Sequence, residues 1–348
     1  MTYEELLDEY TALINKRLES HLDKLLANAE DYHPFIHQVY DAIGEYISRP
    51  GKRLASCSTL LIYKGYTGEV DERILNACIG VEIYRHSILI HDDLIDCDDF
   101  RRGGKAFHKL FIEGKDERFG EGLAVFTGNI LFALSLQTLS NSGFERELID
   151  KVIVLFVEDF KDVDESQILD LLFEYEEPDE EEWRVMASKR AATLFKTTIL
   201  TGAILADAPP RDIELLERAA KNIGFSFDIQ DDIIGTFATE EQYGRPVGGD
   251  VILRKKPLHI VYAMQLADED QLKRMREIFG KRELTKGDIE EIKKIVKDTG
   301  GLAKAMERSR AHAKEASELI EKTTMRDETK IFFKEFINYI AESLDWYK

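Results

Sequence analysis

The chain is short of the residues that interrupt, staple or anchor a fold. Seven prolines in 348 residues leave few points at which a helix is forced to stop. The three cysteines, Cys57, Cys78 and Cys97, stand isolated without a CxxC spacing. A disulfide scaffold and a thiolate metal cage are therefore not expected, and a reduced, cytoplasmic setting is. No stretch approaches ~18 consecutive apolar residues, so no membrane-spanning helix and no stable membrane anchor is expected. The opening residues Met1-Thr2-Tyr3-Glu4-Glu5 lack the basic and apolar regions of a signal peptide. Positive charge is scarce as well: 47 Lys and Arg face 67 Asp and Glu, for a net charge of −20. That balance argues against nucleic acid or an anionic membrane as the main partner. A polyanionic ligand would have to be drawn in by a local basic patch or by bound metal.

What the chain does have is helical periodicity. Hydrophobic residues make up 44% of it, enough for a large core, and they recur at i, i+3, i+4 and i+7 as in Leu6, Tyr10, Leu13 and Ile14. A second apolar stretch holds Leu194, Thr198, Ile199 and Leu200. Strict alternation is rare, so the expectation is all-α. Breaks are expected at Arg49-Pro50-Gly51, Gly103-Gly104, Ala208-Pro209-Pro210 and Gly244 to Gly249. The acidic run Glu176 to Glu182 is expected to be a solvated loop leading into a helix at Trp183. No repeat and no flexible linker divides the chain, so a single helical domain over residues 1–348 is expected.

Two acidic clusters interrupt the apolar pattern: His91-Asp92-Asp93-Leu94-Ile95-Asp96 and Gln230-Asp231-Asp232-Ile233-Ile234. Carboxylates rarely sit on apolar segments unless a cation neutralises them. A helix places Asp92 and Asp96 on one face, with Asp93 roughly 100° away. Mg²⁺ takes one or two carboxylates together with phosphate oxygens, and the second cluster could face the first across a bundle interior. The basic stretch Arg101-Arg102-Gly103-Gly104-Lys105 follows within a few residues. Carboxylates for metal beside arginines for phosphate suit a diphosphate ligand. The bland alternative is an acidic surface patch, or a helix N-terminus whose dipole favours carboxylates.

These motifs resemble those of the trans-isoprenyl diphosphate synthases, or polyprenyl synthetases. The segment HDDLIDCDDFRRG over residues 91–103 matches the family's DDxxD followed by RRG. The segment from Gly224 through Phe227 to Asp231-Asp232 stands where the family has its second aspartate motif. Gly51-Lys52-Arg53-Leu54 resembles its GKRLR segment, and Gly244 to Asp250 with Lys255 its GKPxGxD…K segment. Gln167 and Asp170 fit its GQxxD pattern. The likeness runs in order from about residue 45 to 265.

The resemblance implies one large helical bundle around a central substrate cavity, of the isoprenoid synthase type, assembled as a homodimer. It implies a magnesium enzyme, with manganese as a substitute, that joins isopentenyl diphosphate to dimethylallyl, geranyl or farnesyl diphosphate. Asp92, Asp96 and Asp231 would be metal ligands, with Asp93 and Asp232 as ligands or their supports. Arg101 and Lys255 would hold the allylic diphosphate; Lys52 and Arg102 would hold isopentenyl diphosphate, and Arg53 stands at a further substrate-binding position. Arg85, Arg190, Asp228 and Arg245 stand at further substrate-binding positions. Tyr84, Ser87 and Ile88, on the helix below Asp92, would line the tunnel for the growing tail. Neither Ser87 nor Ile88 is aromatic, which points to geranylgeranyl diphosphate or a longer product.

Several positions depart from the family pattern. Gly235 replaces the third aspartate of the second motif, and Asp228 replaces a glutamine. Asp228 lies at helical spacing from Asp231 and Asp232 and could restore the missing carboxylate to the metal cluster. Ala55 replaces a phosphate-binding arginine, and Arg85, beside His86, replaces a histidine. Arg190-Ala191 replaces a Lys-Thr pair, with Lys189 one position off; Arg245 replaces a lysine, and Asn129 an aspartate. The alternatives are a regulatory subunit of a heteromeric synthase, a synthase with an unusual acceptor, and a terpene cyclase. Asp231-Asp232 argues against the last, and the intact first motif against the subunit.

Overall fold

The helices begin where short polar side chains can accept from their first free amides. Asp71 accepts from the Ile74 amide and opens the helix that ends in the first acidic cluster. Asp116 accepts from the Phe119 amide, and His33 from the Phe35 amide ahead of Pro34, whose fixed φ suits a first turn. Asp179 with Glu182, Asp268 with Gln271 and Thr285 with Asp288 form reciprocal capping boxes. The computed structural model describes residues 3–29, 32–243 and 247–343, and it is all-α as expected. The only strands among the described residues are β1 (Phe100–Arg101) and β2 (Gly104–Lys105), an antiparallel pair where the Gly103-Gly104 break was expected.

The chain forms two compact units. The first comprises Met1–Phe156, Thr198–Pro209 and Met325–Thr329. It holds α1 (Tyr3–Ala29), α2 (Pro34–Ser48), α3 (Leu54–Thr67), α4 (Glu72–Ile95) and α5 (Glu117–Ser140). It also takes the start of α6 (Arg146–Leu172) and the end of α8 (Ala191–Leu205). Its centre is α4, apolar nearly all round, with Ile74, Ile79, Ile83, Tyr84 and Ile90 buried. α4 packs lengthwise against α5. The closeness of that packing is set by Gly128, where an added Cβ would lie 2.1 Å from the His91 ring. His91 in turn donates from Nε2 to the Val125 carbonyl, 3.2 Å away.

The second unit comprises Val157–Thr197, Pro210–Thr324 and Lys330–Lys348. Its elements include α7 (Glu180–Ala187), α9 (Pro210–Phe237), α10 (Glu240–Tyr243), α11 (Gly249–Ile252) and α12 (Leu258–Leu266). α13 (Glu269–Phe279), α14 (Lys286–Asp298), α15 (Gly301–Glu321) and α16 (Asp327–Glu342) follow. α9 packs along α15, and Trp183, Met186, Ile229, Ile233 and Tyr262 make a shared core.

Some expectations change. α7 starts at Glu180, three residues before Trp183, because the Asp179 capping box lies inside the acidic run. Leu6, Tyr10 and Ile14 are buried, but Leu13 is 40% exposed, off the buried stripe of α1. No disulfide links the cysteines; Cys57 and Cys78 are buried and Cys97 is exposed. Among the described residues one helix, α5, is long and apolar enough to cross a membrane by length and composition, and 33% of its apolar window is buried. Small polar residues such as Thr127, Ser135 and Thr138 break its apolar run without adding charge, so a count of consecutive apolar residues passes over it.

His86 and His259 are buried and His312 is half-buried. Burial, with the Arg102 charge adding to it, pushes His86 down to about 3. Burial alone puts His259 at about 3, with neither ring nitrogen paired among the described residues. Burial and Arg308 take His312 to about 4. An unfolded histidine titrates near 6.5, so between pH 6.5 and these values the unfolded chain binds more protons. Each histidine then lowers stability by up to about 1.4 kcal/mol per pH unit as pH falls. Urea unfolding from pH 7 to 4 should therefore show a shallower pH slope for His259→Phe than for the wild type. Equal slopes would mean that His259 is hydrated.

Candidate active site

The first acidic cluster sits at the C-terminal end of α4. Asp92 and Asp93 lie in its last turn, and Asp96 caps it, its amide donating to the Asp92 carbonyl at 2.9 Å. A helix C-terminus carries partial negative charge, so this is the wrong end for the dipole to favour three carboxylates. The N-terminal alternative is thereby ruled out, and a cation is required. Arg101 on β1 supplies it. Its guanidinium reaches Asp92 at 3.2 Å and Asp98 at 3.4 Å and pairs closely with Asp93. Burial opposes the Arg101 charge, but Asp93 and Asp92 hold its pKa well above the ordinary range.

Asp93 differs from its neighbours. It is fully buried; one oxygen is taken by Arg101, and the other accepts from the Tyr46 hydroxyl at 2.6 Å. Burial raises the Asp93 pKa, against Arg101 and the Tyr46 bond; burial and the Asp93 charge raise that of Tyr46. Both Asp93 oxygens thus have a partner within the protein. Asp92, whose side chain is 30% exposed, and the half-buried Asp96 are the accessible carboxylates.

Arg102 takes a different direction. Its guanidinium lies against Gly51, where an added Cβ would come within 3.2 Å, and its Nη1 is 3.5 Å from His86 Nε2. Burial lowers the Arg102 pKa against the pull of Glu82, and Arg85, Arg53 and Arg101 lower it further. Lys52 and Arg85 are half-buried on the same unit. This is the local cationic region that a chain of charge −20 needs for a phosphate ligand. Arg53 is not part of the open face. It is 4% exposed and spends its donors on Asn15 at 2.9 Å, Glu82 at 3.3 Å and the Arg49 carbonyl at 3.4 Å. Glu82 also accepts from Ser56 Oγ at 2.6 Å. Arg53 thus ties α3 to α1 and α4.

The second cluster lies within the last three turns of α9. Asp228 is buried, and Asp231 and Asp232 are half-buried. Here Arg190, just before α8, is the cation. It grips Asp228 with two parallel bonds of 2.8 and 2.7 Å, and reaches Asp170 at 3.1 Å and Asp232 at 3.3 Å. Lys255 adds a second charge 3.2 Å from Asp170. Asp228 is therefore the partner of Arg190, and its carboxylate is not spare for a metal. The two departures from the family pattern, at 190 and 228, are one ion pair. Lys189 points elsewhere, to Asp162 and Glu165. Where Gly235 replaces an aspartate, an added Cβ would lie 3.4 Å from the Asp250 carboxylate. Burial raises the Asp232 pKa well above its ordinary value, and the charges of Asp228, Asp250 and Asp231 add to this against Arg190. Arg245 lies outside the described residues. Nothing in the structure explains the exposed Asn129.

Among the described residues no three His, Cys, Asp or Glu side chains converge into a ready metal cage, because Arg101 and Arg190 already occupy carboxylates. The donors are nevertheless all hard oxygens with more negative charge than their arginines balance. They fit a divalent cation such as magnesium, which uses few protein ligands and completes its shell with water and phosphate.

On the tail side, Tyr84 is fully buried, its ring 4.6 Å from that of Phe156 and 6.2 Å from that of Phe132. Ser87 is buried and donates to the Tyr84 carbonyl, and Ile88 is 9% exposed. Tyr46, Arg49, Glu82, His86 and Asp250 belong to these clusters without having been singled out as site residues from the sequence.

Breaking the bidentate pair leaves Arg190 without its best partner in a buried corner. Asp228→Asn should cost about 3 kcal/mol in urea unfolding, as is usual when one half of a buried pair is removed. A loss under about 1 kcal/mol would mean that the pair is solvated.

Residues 37–297 match the polyprenyl synthetase family model. The short chain isoprenyl diphosphate synthase of Methanocaldococcus jannaschii is 30% identical over 267 residues, 77% of this chain and 79% of that protein. The geranylgeranyl pyrophosphate synthetase structure from Pyrococcus horikoshii superposes with a TM-score of 0.82 at 25% identity, covering 98% of this chain and 99% of that one. The geranylgeranyl pyrophosphate synthase from Corynebacterium glutamicum, complexed with isoprenyl diphosphate and magnesium, shares the fold. Its TM-score is 0.90 at 21% identity, covering 97% of this chain and 99% of that one. By sequence match, fold and the placing of its motifs, this chain belongs to the polyprenyl synthetase family.

Proposed function

We propose that the chain is a trans-prenyltransferase that condenses isopentenyl diphosphate with an allylic diphosphate and releases an all-trans polyprenyl diphosphate of geranylgeranyl length or longer. The observation that carries this is the divergence of two adjacent arginines, Arg101 onto the aspartates of α4 and Arg102 toward Gly51 and His86. Two diphosphates call for two separate cationic stations, and one short hairpin supplies an arginine to each. Residues 1–348 act as one polyprenyl synthetase domain.

Asp92 and Asp96 of α4, and Asp231 and Asp232 of α9, would supply carboxylates for magnesium, with manganese as a substitute. Bound there, the metal would offset charge on the departing diphosphate. Arg101 and Lys255 bind that diphosphate as the allylic C–O bond breaks and its electron pair leaves with the oxygen. Asp93 and Tyr46 keep Arg101 aimed. Lys52, Arg85 and Arg102 hold isopentenyl diphosphate so that its double bond attacks the allylic cation, and loss of a proton completes the new C–C unit. Tyr84, Ser87 and Ile88 line the path of the tail, where apolar surroundings exclude the water that would quench the cation.

The partners are these two diphosphates and a second copy of the chain, with no nucleic acid. Support for a homodimer comes from α5, which leaves Val125 42% and Phe126 67% exposed. The proposed location is the cytoplasm.

Purified chain with Mg²⁺, labelled isopentenyl diphosphate and each short allylic diphosphate should yield elongated diphosphates sized by chromatography. Diphosphate release without incorporation would indicate a cyclase or hydrolase, and complete inactivity a regulatory subunit. In the same assay Tyr84→Ala should shift the product distribution by at least one isoprene unit toward longer chains. An unchanged distribution would place Tyr84 in the core only.

A further inference from the structure

The hairpin that carries Arg101 and Arg102 is held from outside the known motifs. Arg101 pairs with Gly104 across a two-residue turn, Arg102-Gly103, and both turn residues have positive φ, 51° and 79°. Two such residues are the signature of a type I′ hairpin. Glycine adopts this geometry freely, but Arg102, with its Cβ, is strained there. Something must hold the turn, and the structure shows what does. Arg49, at the end of α2, is only 5% exposed, and its Nη1 donates to the Arg101 carbonyl at 2.9 Å and to the Lys105 carbonyl at 3.0 Å. These carbonyls lie on the two strands on either side of the turn, so one nitrogen clamps both. The rest of the guanidinium is fixed by Glu45, through bonds of 2.9 and 2.7 Å. The group also lies 4.8 Å over the Tyr46 ring, the same tyrosine that bonds Asp93. The clamp needs Gly104: a Cβ there would lie 2.4 Å from the guanidinium carbon. The glycine at 104 has no positive φ to accommodate, so its need is for space.

We propose that Arg49 is a positioning residue for diphosphate binding: it clamps the strained turn so that Arg101 and Arg102 are held at two separate stations. The inference rests on the proposed roles of those two arginines. Arg49 does not touch substrate. Without it the turn relaxes, and both arginines lose the fixed placement that makes their donors useful before the ligand arrives.

The test uses the full chain and inorganic pyrophosphate with Mg²⁺ as the probe, with binding measured by calorimetry and steady-state kinetics run in parallel. Arg49→Met should weaken pyrophosphate binding by roughly ten- to a hundred-fold. It should also raise the KM for both substrates, with kcat falling less. Gly104→Ala leaves every donor in place but displaces the guanidinium, and should reproduce that pattern. Arg49→Lys, which can still donate to the carbonyls but cannot keep the fork to Glu45, should recover part of the affinity. A purely structural Arg49 would lower the melting temperature and the active fraction without moving KM. Folded Arg49→Met and Gly104→Ala proteins that bind pyrophosphate as the wild type does would overturn the proposal. So would a wild-type chain with no affinity for pyrophosphate. A wild type whose pyrophosphate binding depends on Arg49 but which elongates nothing would sink the prenyltransferase reading and leave this inference standing.

Discussion

Carboxylates gathered at the C-terminal ends of helices are the constraint on which the site depends. Asp92, Asp93 and Asp96 close α4, and Asp231 and Asp232 lie near the end of α9. Each helix end already carries partial negative charge, and α4 is buried along most of its length, so water offers little screening. Neither arrangement is tolerable without cations. Arg101 and Arg190 meet part of the demand, and their multiple short bonds to aspartates measure how strong it is. The unmet part is what a divalent metal with a diphosphate would satisfy.

Within each cluster, burial divides the labour. The buried carboxylate is the holder: Asp93 fixes Arg101, and Asp228 fixes Arg190. The less buried carboxylates are Asp92, Asp96 and Asp231. The distinction follows from desolvation. A buried carboxylate must keep a permanent partner, whereas one that retains contact with solvent can trade water for metal at modest cost. The pairing of Arg190 with Asp228 makes the point sharply. A planar guanidinium matches a carboxylate with two parallel bonds, which an ammonium cannot do. Arginine at 190 therefore suits aspartate at 228, and neither change is intelligible alone.

The parts of this architecture written in local sequence were legible. Charge on an apolar helical stretch marked both acidic clusters, and Arg101 lies close enough in the chain to Asp92 for their pairing to be anticipated. The all-α pattern and the breaks at 49–51, 103–104 and 208–210 also stood out. What escaped was long-range or directional. Tyr46 meets Asp93 across 47 positions, and no local pattern announces that. Arg53 sat in a phosphate-binding motif, yet its partner Glu82, a charge within Val81-Glu82-Ile83, draws it into the core. The rule that flagged the aspartates would have flagged Glu82 too. The Asp179–Glu182 capping box lay within an acidic run that composition alone marks as loop, and so α7 begins earlier than expected.

The cationic region around Arg102 is coherent in physical terms. His86 Nδ1 lies 2.7 Å from the Glu82 carbonyl oxygen, which can only accept, so the ring proton sits on Nδ1. Nε2 then carries a lone pair directed at Arg102, 3.5 Å away. Burial and the nearby guanidinium keep the ring neutral across the physiological range, so it adds no charge to the cationic region. Arg85 contributes a permanent charge close enough to lower the Arg102 pKa. Compared with the family pattern, the titratable imidazole has moved one position along and become a buried acceptor, and a guanidinium stands in its place. The region therefore keeps its positive charge whatever the protonation state of its histidine. A cationic region in a chain of charge −20 gains from that constancy, because the long-range field of the protein repels an anionic ligand and only fixed local cations can reverse it.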